Sequence, residues 1–214
     1  MPGFQGDARI FAPLAAALPG RVLWAVDLGG GTVTEVTGRL QSVLDQAGRS
    51  EVVTGSYGGL VACGLRGLRS LAAVGTLPDR AWLQGGLTRQ RRLLQRLPAG
   101  VVEAMYRHHT RRAGAADGLP VALTAALASA GLDKSTLVAR LRSLETWPFA
   151  PPPDVPLLWI AGATDPQVRW TAADTHDALG PRATFTTVPG SHRPHASHPG
   201  ALVGRLEGFW TTGA

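Results

Sequence analysis

Cysteine is almost absent from this 214-residue chain, in which Cys63 is the only one. A single thiol cannot form an internal disulfide, so a disulfide scaffold is excluded and a reducing cytoplasm is the expected compartment. No apolar run approaches the roughly 20 residues that cross a bilayer, and residues 1–10 lack the basic and apolar regions of a secretory signal. Cys63 ends the apolar run 60–63, which favours a core position over a nucleophilic one.

Lysine is equally scarce, since Lys134 is the only one and the formal net charge of +6 rests almost entirely on arginine. Aromatic residues make up only 6% of the chain and do not alternate with the arginines, so no nucleic-acid partner is predicted. Two interpretations remain open for the densest basic stretch: a solvated helix face, or a positive field that attracts an anionic substrate. That stretch comprises Arg89, Arg91, Arg92, Arg96, Arg107, Arg111 and Arg112.

Short apolar runs alternate along the chain with segments of helical periodicity. Predicted strands cover residues 21–28, 51–54, 71–75, 157–161 and 183–188. Predicted helices cover residues 34–46, a segment from about Leu60, residues 172–179 and a segment from about Pro199. This alternation predicts an α/β fold with a mostly parallel sheet covered by helices on both faces. In such sheets the chemistry collects at the carboxyl ends of the strands.

A long helical insertion divides the predicted core into two parts. Residues 79–147 are mostly helical in pattern, with breaks predicted at Pro98, Gly114, Gly118 and Gly131, before a proline-rich segment at 148–156. The expected organisation is a first core part at 1–78, an insertion at 79–150 and a second core part at 151–214.

The strongest local signal is a serine on a predicted strand-to-helix turn. Ser56 follows a short strand and precedes an apolar helix, and the small residues Thr54 and Gly58 stand two positions on either side. Small neighbours let the strand and the helix approach closely enough to expose the serine hydroxyl. The Tyr57 N–H then lies at the helix start, where free amides stabilise a developing negative charge. A chance serine in a turn explains the same pattern, so the motif alone is weak.

An acid and a base follow in an order that strengthens the motif. Asp165 comes directly after a predicted buried strand, and His192 comes directly after the next one. A hydroxyl becomes a good nucleophile when a histidine takes its proton and a carboxylate orients that histidine. Each residue alone has a simpler explanation, a turn cap for Asp165 and a surface loop for His192. Together they predict a Ser56–His192–Asp165 catalytic triad.

Other candidates for these roles lie nearby in the sequence. His195 and His198 compete with His192 for the role of base, and Asp79 is the reserve acid because it follows the third predicted strand. His108 and His109 have no spaced carboxylates near them, so no metal site is predicted there.

The chain resembles the α/β-hydrolase fold family from its first residues to its last helix. Residues 54–59 resemble the nucleophile elbow of that family, and Asp165 and His192 match its acid and base positions. Residues 2–6 resemble its oxyanion turn, although Pro2 stands where histidine is common. This resemblance implies that Phe4 donates a second N–H beside that of Tyr57. The insertion occupies the place where the family puts a cap over the active site.

The resemblance also implies the chemistry. It points to a serine hydrolase that cleaves an ester, thioester or lactone of a small acyl substrate through an acyl-enzyme on Ser56, without metal or organic cofactor. Serine at this position argues against the haloalkane and epoxide branches of the family, which use a carboxylate there.

One departure from the family concerns the sheet. In the family, the strand that leads into the oxyanion turn lies beside the nucleophile strand, whereas here the turn begins at Pro2. The favoured expectation is that the sequence begins at an internal methionine. A sheet that closes differently and a strand from a partner chain are the alternatives.

Two other functions remain open. The first is a non-catalytic binding protein on the same fold. The second is a nucleotide-binding module that uses the Gly29–Gly30–Gly31 turn, because residues 25–32 resemble a phosphate-binding turn of the actin and heat-shock ATPases. The glycine spacing does not fit Gly-x-Gly-x-x-Gly, and no Gly-Lys-Ser/Thr follows, which favours a plain turn.

Overall fold

The sheet is fully parallel. A computed structural model describes residues 1–78, 86–146, 150–152, 154–167 and 170–212. Within these residues the strands are β1 (Ser50–Gly55), β2 (Leu68–Val74), β3 (Leu157–Gly162) and β4 (Ala183–Val188). They pair in the order β1-β2-β3-β4. The predicted parallel sheet is therefore confirmed, and the carboxyl ends of all four strands meet at one edge.

Helices connect the strands and follow the predicted segments closely. In chain order they are α1 (Ala12–Ala16), α2 (Val33–Ala47), α3 (Tyr57–Cys63), α4 (Leu87–Arg96), α5 (Ala99–Ala116), α6 (Val121–Ala130), α7 (Lys134–Thr146), α8 (Ala172–Leu179), α9 (Pro194–Ser197) and α10 (Pro199–Thr212). A 3-10 turn, Ala8–Phe11, precedes α1. The start of α2 is fixed by a capping box, in which Thr32 and Glu35 each bond the other's backbone N–H.

The helices cover both faces of the sheet, as the α/β pattern predicts. One apolar cluster joins α2 and α3 to the sheet through buried residues such as Val36, Leu60 and Trp159. A second cluster joins α1 and α10 to the opposite face and includes Leu14 and Leu206. Burial on both faces explains why β3 and residues 71–74 of β2 form continuous apolar runs.

The strand predicted at residues 21–28 is wrong. These residues form no regular structure, and Val22, Leu23 and Trp24 are 91%, 44% and 58% exposed. An apolar run becomes a strand only where another strand offers it hydrogen bonds. Here β1 forms one edge of the sheet, and a groove separates it from residues 22–26.

The insertion between β2 and β3 consists of α4, α5, α6 and α7. Its own apolar cluster includes Leu94, Val102 and Leu141. The breaks predicted at Pro98, Gly118 and Gly131 fall at helix ends and are confirmed. The break predicted at Gly114 is wrong, because this glycine lies inside α5 and lets the Thr124 side chain pack where a Cβ would stand. Residues 79–85 and 147–149 lie outside the described residues.

None of the described helices is by itself long and apolar enough to cross a membrane. One pair, Val121–Ala130 with Lys134–Thr146, meets the length and composition only when joined across a 98° bend.

Candidate active site

Ser56 stands in a strained backbone conformation between β1 and α3. Its φ of 48° and ψ of −117° lie where side chains other than glycine are rare. The strain is held on both sides by neighbouring residues. The Ser56 N–H donates to the Val74 carbonyl oxygen at 2.7 Å, and the Ser56 carbonyl oxygen accepts from Thr76 Oγ1 at 2.9 Å. Strain maintained in this way is typical of functional positions.

The small residue at 58 makes room for the N-terminal segment. A Cβ at Gly58 would overlap the Pro2 carbonyl oxygen, so any larger residue there displaces the segment. On the other side, a Cβ at Gly3 would lie 3.2 Å from Ser56 Cβ. The N-terminal turn therefore lies directly against the serine.

Asp165 and His192 are hydrogen-bonded to each other at the carboxyl ends of β3 and β4. Asp165 Oδ2 lies 2.8 Å from His192 Nδ1, with the carboxylate fully buried and the imidazole 10% exposed. Asp165 Oδ1 accepts from the Gln167 N–H at 2.8 Å. Gly162 lets the two loops meet, because a Cβ there would overlap the Ser191 carbonyl oxygen. The bond to Asp165 leaves His192 Nε2 as the ring nitrogen free for chemistry.

The structure brings Ser56 and His192 to one cavity. Both line a cleft of about 560 Å³, together with Gly3, Phe4 and Tyr57. The imidazole also lies over the end of β2, since a Cβ at Gly75 would be 3.1 Å from its Cε1 and Nδ1 atoms. Gly75 directly follows Val74, the residue that holds the Ser56 N–H. Within the described residues the Ser56 hydroxyl makes no hydrogen bond.

Two residues that line the same cleft have backbone N–H groups without hydrogen-bond partners in the described part of the chain. They are Phe4 and Tyr57, the two residues expected to form an oxyanion hole. The Phe4 turn is closed by a bond of 2.9 Å from the Gly6 N–H to the Gly3 carbonyl oxygen. The rings of Phe4 and Tyr57 pack edge to face with centroids 5.4 Å apart. This contact fixes the turn against α3.

Arg140 is a buried cation that sequence reasoning missed. It lies on α7, is 1% exposed, and donates to the carbonyl oxygens of Phe4 and Gly29. Its guanidinium also lies 5.6 Å from the Tyr57 ring centroid, and burial lowers its pKa. A signal was present, because Arg140 falls at helical spacing between the buried Leu137 and Leu141. A cation inside an apolar stripe marks a side chain that serves a specific partner.

A second contact joins the insertion to the histidine loop, and no pattern in the sequence predicted it. Asp117, at the end of α5, is 7% exposed. Its Oδ1 accepts from the His192 N–H at 3.3 Å, and its Oδ2 pairs with Arg193 Nη1 at 3.0 Å. Asp117 of the insertion therefore positions the backbone of His192, while Asp165 of the core positions its ring.

The competing histidines have other surroundings. His195 is 3% exposed and stacks on Phe11 with ring centroids 4.5 Å apart. Burial lowers its pKa to about 3, so it is neutral at pH 7. His198 Nδ1 lies 2.9 Å from Ser197 Oγ. Neither pairs with a carboxylate among the described residues, whereas His192 does. Asp79, the reserve acid, lies outside the described residues.

Burial of His195 predicts an acid-sensitive fold. The imidazole has an ordinary pKa of 6.5 and a folded pKa of about 3, so between these values only the unfolded chain binds the proton. Stability should therefore fall as the pH drops from 6.5 towards 3, by on the order of 4 kcal/mol. His195→Leu should flatten this part of a urea-denaturation profile. The exposed His176→Gln serves as control, and an equal slope in all three proteins would contradict the assignment.

The arginine-rich stretch fits the solvated interpretation. Arg89, Arg92 and Arg96 are exposed on α4, and Arg91 pairs with Glu145 of α7 at 3.0 Å. Among the described residues, the arginine that lines the cleft is Arg193, from the histidine loop. Cys63 is half-buried, and burial raises its pKa to about 12, which makes a thiolate unfavourable.

The Gly29–Gly31 turn presents carbonyl oxygens to arginines. Arg39 donates to the carbonyl oxygens of Leu28 and Gly30 at 2.7 and 2.6 Å, and Arg140 donates to that of Gly29 at 2.5 Å. Phosphate binding requires backbone N–H groups that converge on the anion. The contacts favour a structural turn over a nucleotide site. In the described part of the chain, no group of three His, Cys, Asp or Glu side chains is placed to hold a metal ion.

Comparison with known proteins gives fold-level likeness. No family model and no curated protein matches the sequence. Among solved structures, an epoxide hydrolase from Bacillus megaterium has a TM-score of 0.77 at 15% identity, over 98% of this chain and 91% of that one. A thermophilic esterase from Thermogutta terrifontis has a TM-score of 0.71 at 16% identity, over 99% and 88%. An enol-lactonase from Burkholderia xenovorans LB400 has a TM-score of 0.71 at 16% identity, over 98% and 89%.

The likeness extends over nearly the whole chain, which includes the parallel sheet and the helices that cover it. The chain has the α/β-hydrolase fold.

Proposed function

We propose that the chain is a serine hydrolase that cleaves a carboxylic ester, thioester or lactone through an acyl-enzyme on Ser56. One observation carries the proposal. A buried Asp165–His192 hydrogen bond of 2.8 Å stands in the same site as a serine in a strained strand-to-helix turn. Activation of a serine needs a base and a carboxylate that orients it, and these residues supply both.

The proposed reaction has two halves. Ser56 Oγ attacks the carbonyl carbon while His192 Nε2 takes its proton, and the Oγ–carbon bond forms. The carbon–oxygen or carbon–sulfur bond of the substrate then breaks, and His192 returns the proton to the leaving alcohol or thiol. A water molecule attacks the acyl-enzyme in the same way and releases the acid. Asp165 holds Nδ1 protonated throughout and stabilises the imidazolium that forms twice.

The oxyanion of each tetrahedral intermediate would be held by the N–H groups of Phe4 and Tyr57. Tyr57 stands at the first position of α3, where the helix dipole adds a favourable field. Each such donor is typically worth about 10²–10³ in rate. Neither N–H group has a partner among the described residues, which supports this assignment because a backbone amide beside a cleft requires a partner from water or substrate.

The cleft favours an apolar acyl or alcohol group. The insertion contributes apolar side chains to its lining from α4, α5 and α7, including Leu94, Val102, Met105 and Leu141. The structural neighbours include an esterase and an enol-lactonase, which fits carboxylic ester chemistry. Another neighbour is an epoxide hydrolase. Residue 56 of this chain is a serine and not a carboxylate, and a serine hydroxyl is a weak nucleophile towards an epoxide.

Partitioning between water and methanol tests for the acyl-enzyme. The p-nitrophenyl and phenyl esters of butyrate should yield the same ratio of butyrate to methyl butyrate at a fixed methanol concentration. A common ratio follows because both substrates pass through one butyryl-Ser56 intermediate. A ratio that depends on the leaving group would contradict the proposal.

A non-catalytic binding protein on the same fold is the second candidate. The observation that favours it is the Ser56 hydroxyl, which makes no hydrogen bond to His192 within the described residues. Catalytic hydrogen bonds are often loose before substrate binds, so the two candidates share this geometry. They differ in turnover, because the second candidate binds esters in the cleft and hydrolyses none.

Arg140 should matter for catalysis through the Phe4 turn. Arg140→Met removes the donors to the Phe4 and Gly29 carbonyl oxygens, so the turn loosens and its N–H leaves the oxyanion position. We expect kcat to fall by about 10- to 100-fold, while KM changes far less, because the contact acts in the transition state. The exposed Arg142→Met on the same helix is the matched control. A change confined to KM would contradict the role of the turn.

A further inference from the structure

Three consecutive residues at the end of β2, residues 74–76, contact both the serine and the histidine of the candidate site. The Val74 carbonyl oxygen accepts from the Ser56 N–H at 2.7 Å, and the Thr76 hydroxyl donates to the Ser56 carbonyl oxygen at 2.9 Å. Between them, a Cβ at Gly75 would lie 3.1 Å from Cε1 and Nδ1 of His192. A shift of these three residues would therefore change the position of the serine relative to the histidine.

Two hydrogen bonds hold this segment against β3. The Gly75 N–H donates to the Ile160 carbonyl oxygen at 2.8 Å, which continues the parallel pairing of the two strands. The other bond comes from a side chain, because Trp159 Nε1 donates to the Thr76 carbonyl oxygen at 2.7 Å. Trp159 is 1% exposed, so little water competes for this bond. The indole therefore fixes the backbone of Thr76.

The glycine at position 59 makes room for the Thr76 side chain. A Cβ at Gly59 would lie 2.2 Å from Thr76 Cγ2 and 2.4 Å from its Oγ1, so the threonine reaches Ser56 only because residue 59 has no side chain. Gly59 lies inside α3 and is not among the glycines with a positive φ. Helix geometry alone would favour alanine there. The close approach of Thr76 accounts for the glycine.

The Ser56 backbone requires support from outside its own helix. Its carbonyl oxygen accepts from the Gly59 N–H at 3.0 Å within the first turn of α3, and the Thr76 hydroxyl supplies a second donor from β2. A φ of 48° persists in a residue other than glycine only where its surroundings over-determine it. Loss of the hydroxyl would let the backbone of Ser56 relax and move its Oγ.

We propose that Thr76 and Trp159 are positioning residues for the nucleophile. Trp159 fixes the backbone of Thr76, and the Thr76 hydroxyl holds Ser56 in the strained conformation that keeps its side chain in the cleft with His192. Neither Thr76 nor Trp159 lines the cleft, so both act through Ser56. The proposal rests on the assignment of Ser56 as the nucleophile.

The rate of fluorophosphonate labelling of the full-length chain, read by intact mass, tests the role of Thr76. Thr76→Val removes the hydroxyl at nearly constant volume and should lower the rate constant by about 10- to 100-fold, because small displacements of a reacting group cost this much. Thr76→Ser keeps the hydroxyl and should restore a rate close to that of the parent. Labelling should still go to completion in both variants, whereas a partly unfolded variant would be labelled incompletely.

Trp159→Phe tests whether the indole acts through the threonine. It should slow labelling by about three- to tenfold, the scale of one hydrogen bond, and it should have no further effect in the Thr76→Val background. Trp210→Phe is the matched control and should be labelled as the parent is. The Trp210 indole is also buried, but its N–H has no hydrogen-bond partner among the described residues.

Gly59→Ala approaches the same contact from the helix. The added methyl group should displace Thr76 and slow labelling by about tenfold or more. Gly38→Ala on α2 is its control, since a Cβ there meets no atom within 4 Å, and it should be labelled as the parent is.

Two results would overturn this proposal alone, given a parent chain that is labelled. One is labelling of Thr76→Val or Gly59→Ala at the parent rate. The other is an equal effect of Trp159→Phe with and without the Thr76 hydroxyl. A parent chain that is not labelled would overturn the assignment of Ser56 and this proposal with it.

Discussion

Ser56→Ala is expected to lower kcat/KM for p-nitrophenyl butyrate by at least about 10⁴-fold. The variant removes the only atom that can form the acyl bond in the proposed mechanism. What remains is the stabilisation that the Phe4 and Tyr57 N–H groups give to direct attack by water. Such residual catalysis is small because water is neither positioned nor deprotonated as Ser56 Oγ is.

Ser42→Ala provides the matched control for this variant, since Ser42 lies exposed on α2 and its loss removes the same hydroxyl group from the surface. Ser42→Ala should retain full activity. Circular dichroism and thermal unfolding should show that both variants keep the parent fold. Comparable activity of Ser56→Ala and the parent in highly purified samples would refute the assigned nucleophile.

Asp165→Asn is the second prediction with a large effect, a loss of about 10³- to 10⁴-fold in kcat with little change in KM. The carboxylate accepts a hydrogen bond from His192 Nδ1 and so keeps Nε2 free to take a proton. A carboxamide can instead donate its N–H to Nδ1, which places the imidazole proton on Nε2. In that tautomer the ring cannot act as a base towards Ser56.

The pH dependence separates this tautomer effect from general damage. Loss of the carboxylate removes the stabilisation of the imidazolium, so the residual activity of Asp165→Asn should increase at high pH, where hydroxide replaces the base. Asp177→Asn, at an exposed position on α8, should behave as the parent does. Parent-like activity in Asp165→Asn would assign the role of acid to another residue.

The parts of the fold that the sequence predicted well are those governed by local patterns. Continuous apolar runs predicted β3 and the second half of β2, because a strand segment that is buried on both faces carries apolar residues at successive positions. The helical spacing of Val36, Leu40 and Val43 predicted a helix at residues 34–46, and α2 spans Val33–Ala47. These signals depend only on residues that are close in the sequence, so tertiary contacts do not change what they predict.

The errors arose where a distant partner decides the outcome. Residues 21–28 have the composition of a strand, but a strand requires a neighbour, and the edge of β1 lies across a groove. Gly114 looked like a helix break, yet its missing side chain is used by Thr124 of α6. Sequence patterns indicate the local structure that each residue favours, but they do not indicate which distant residue packs against it.

The residues of the candidate site also fall into two groups, those that the sequence predicted and those that it did not. Ser56, Asp165 and His192 were proposed because each follows a predicted strand, and parallel strands bring their carboxyl ends together. Asp117 and Arg140 were missed because their roles depend on how the insertion docks on the core. Asp117 reaches the His192 N–H across 75 positions, and Arg140 reaches Phe4 across 136. Helical spacing marks Arg140 as a buried position, but it does not reveal the distant partner of either side chain.

Labelling with a fluorophosphonate, read by intact mass, tests the central claim most directly. The reagent reacts with a serine only when a base activates it and an oxyanion site holds the phosphonyl oxygen. We predict one adduct per chain, mapped to Ser56, that is absent from Ser56→Ala and strongly slowed in Asp165→Asn. An unlabelled chain, or an adduct that persists in Ser56→Ala, would contradict the assignment of Ser56 as an activated nucleophile.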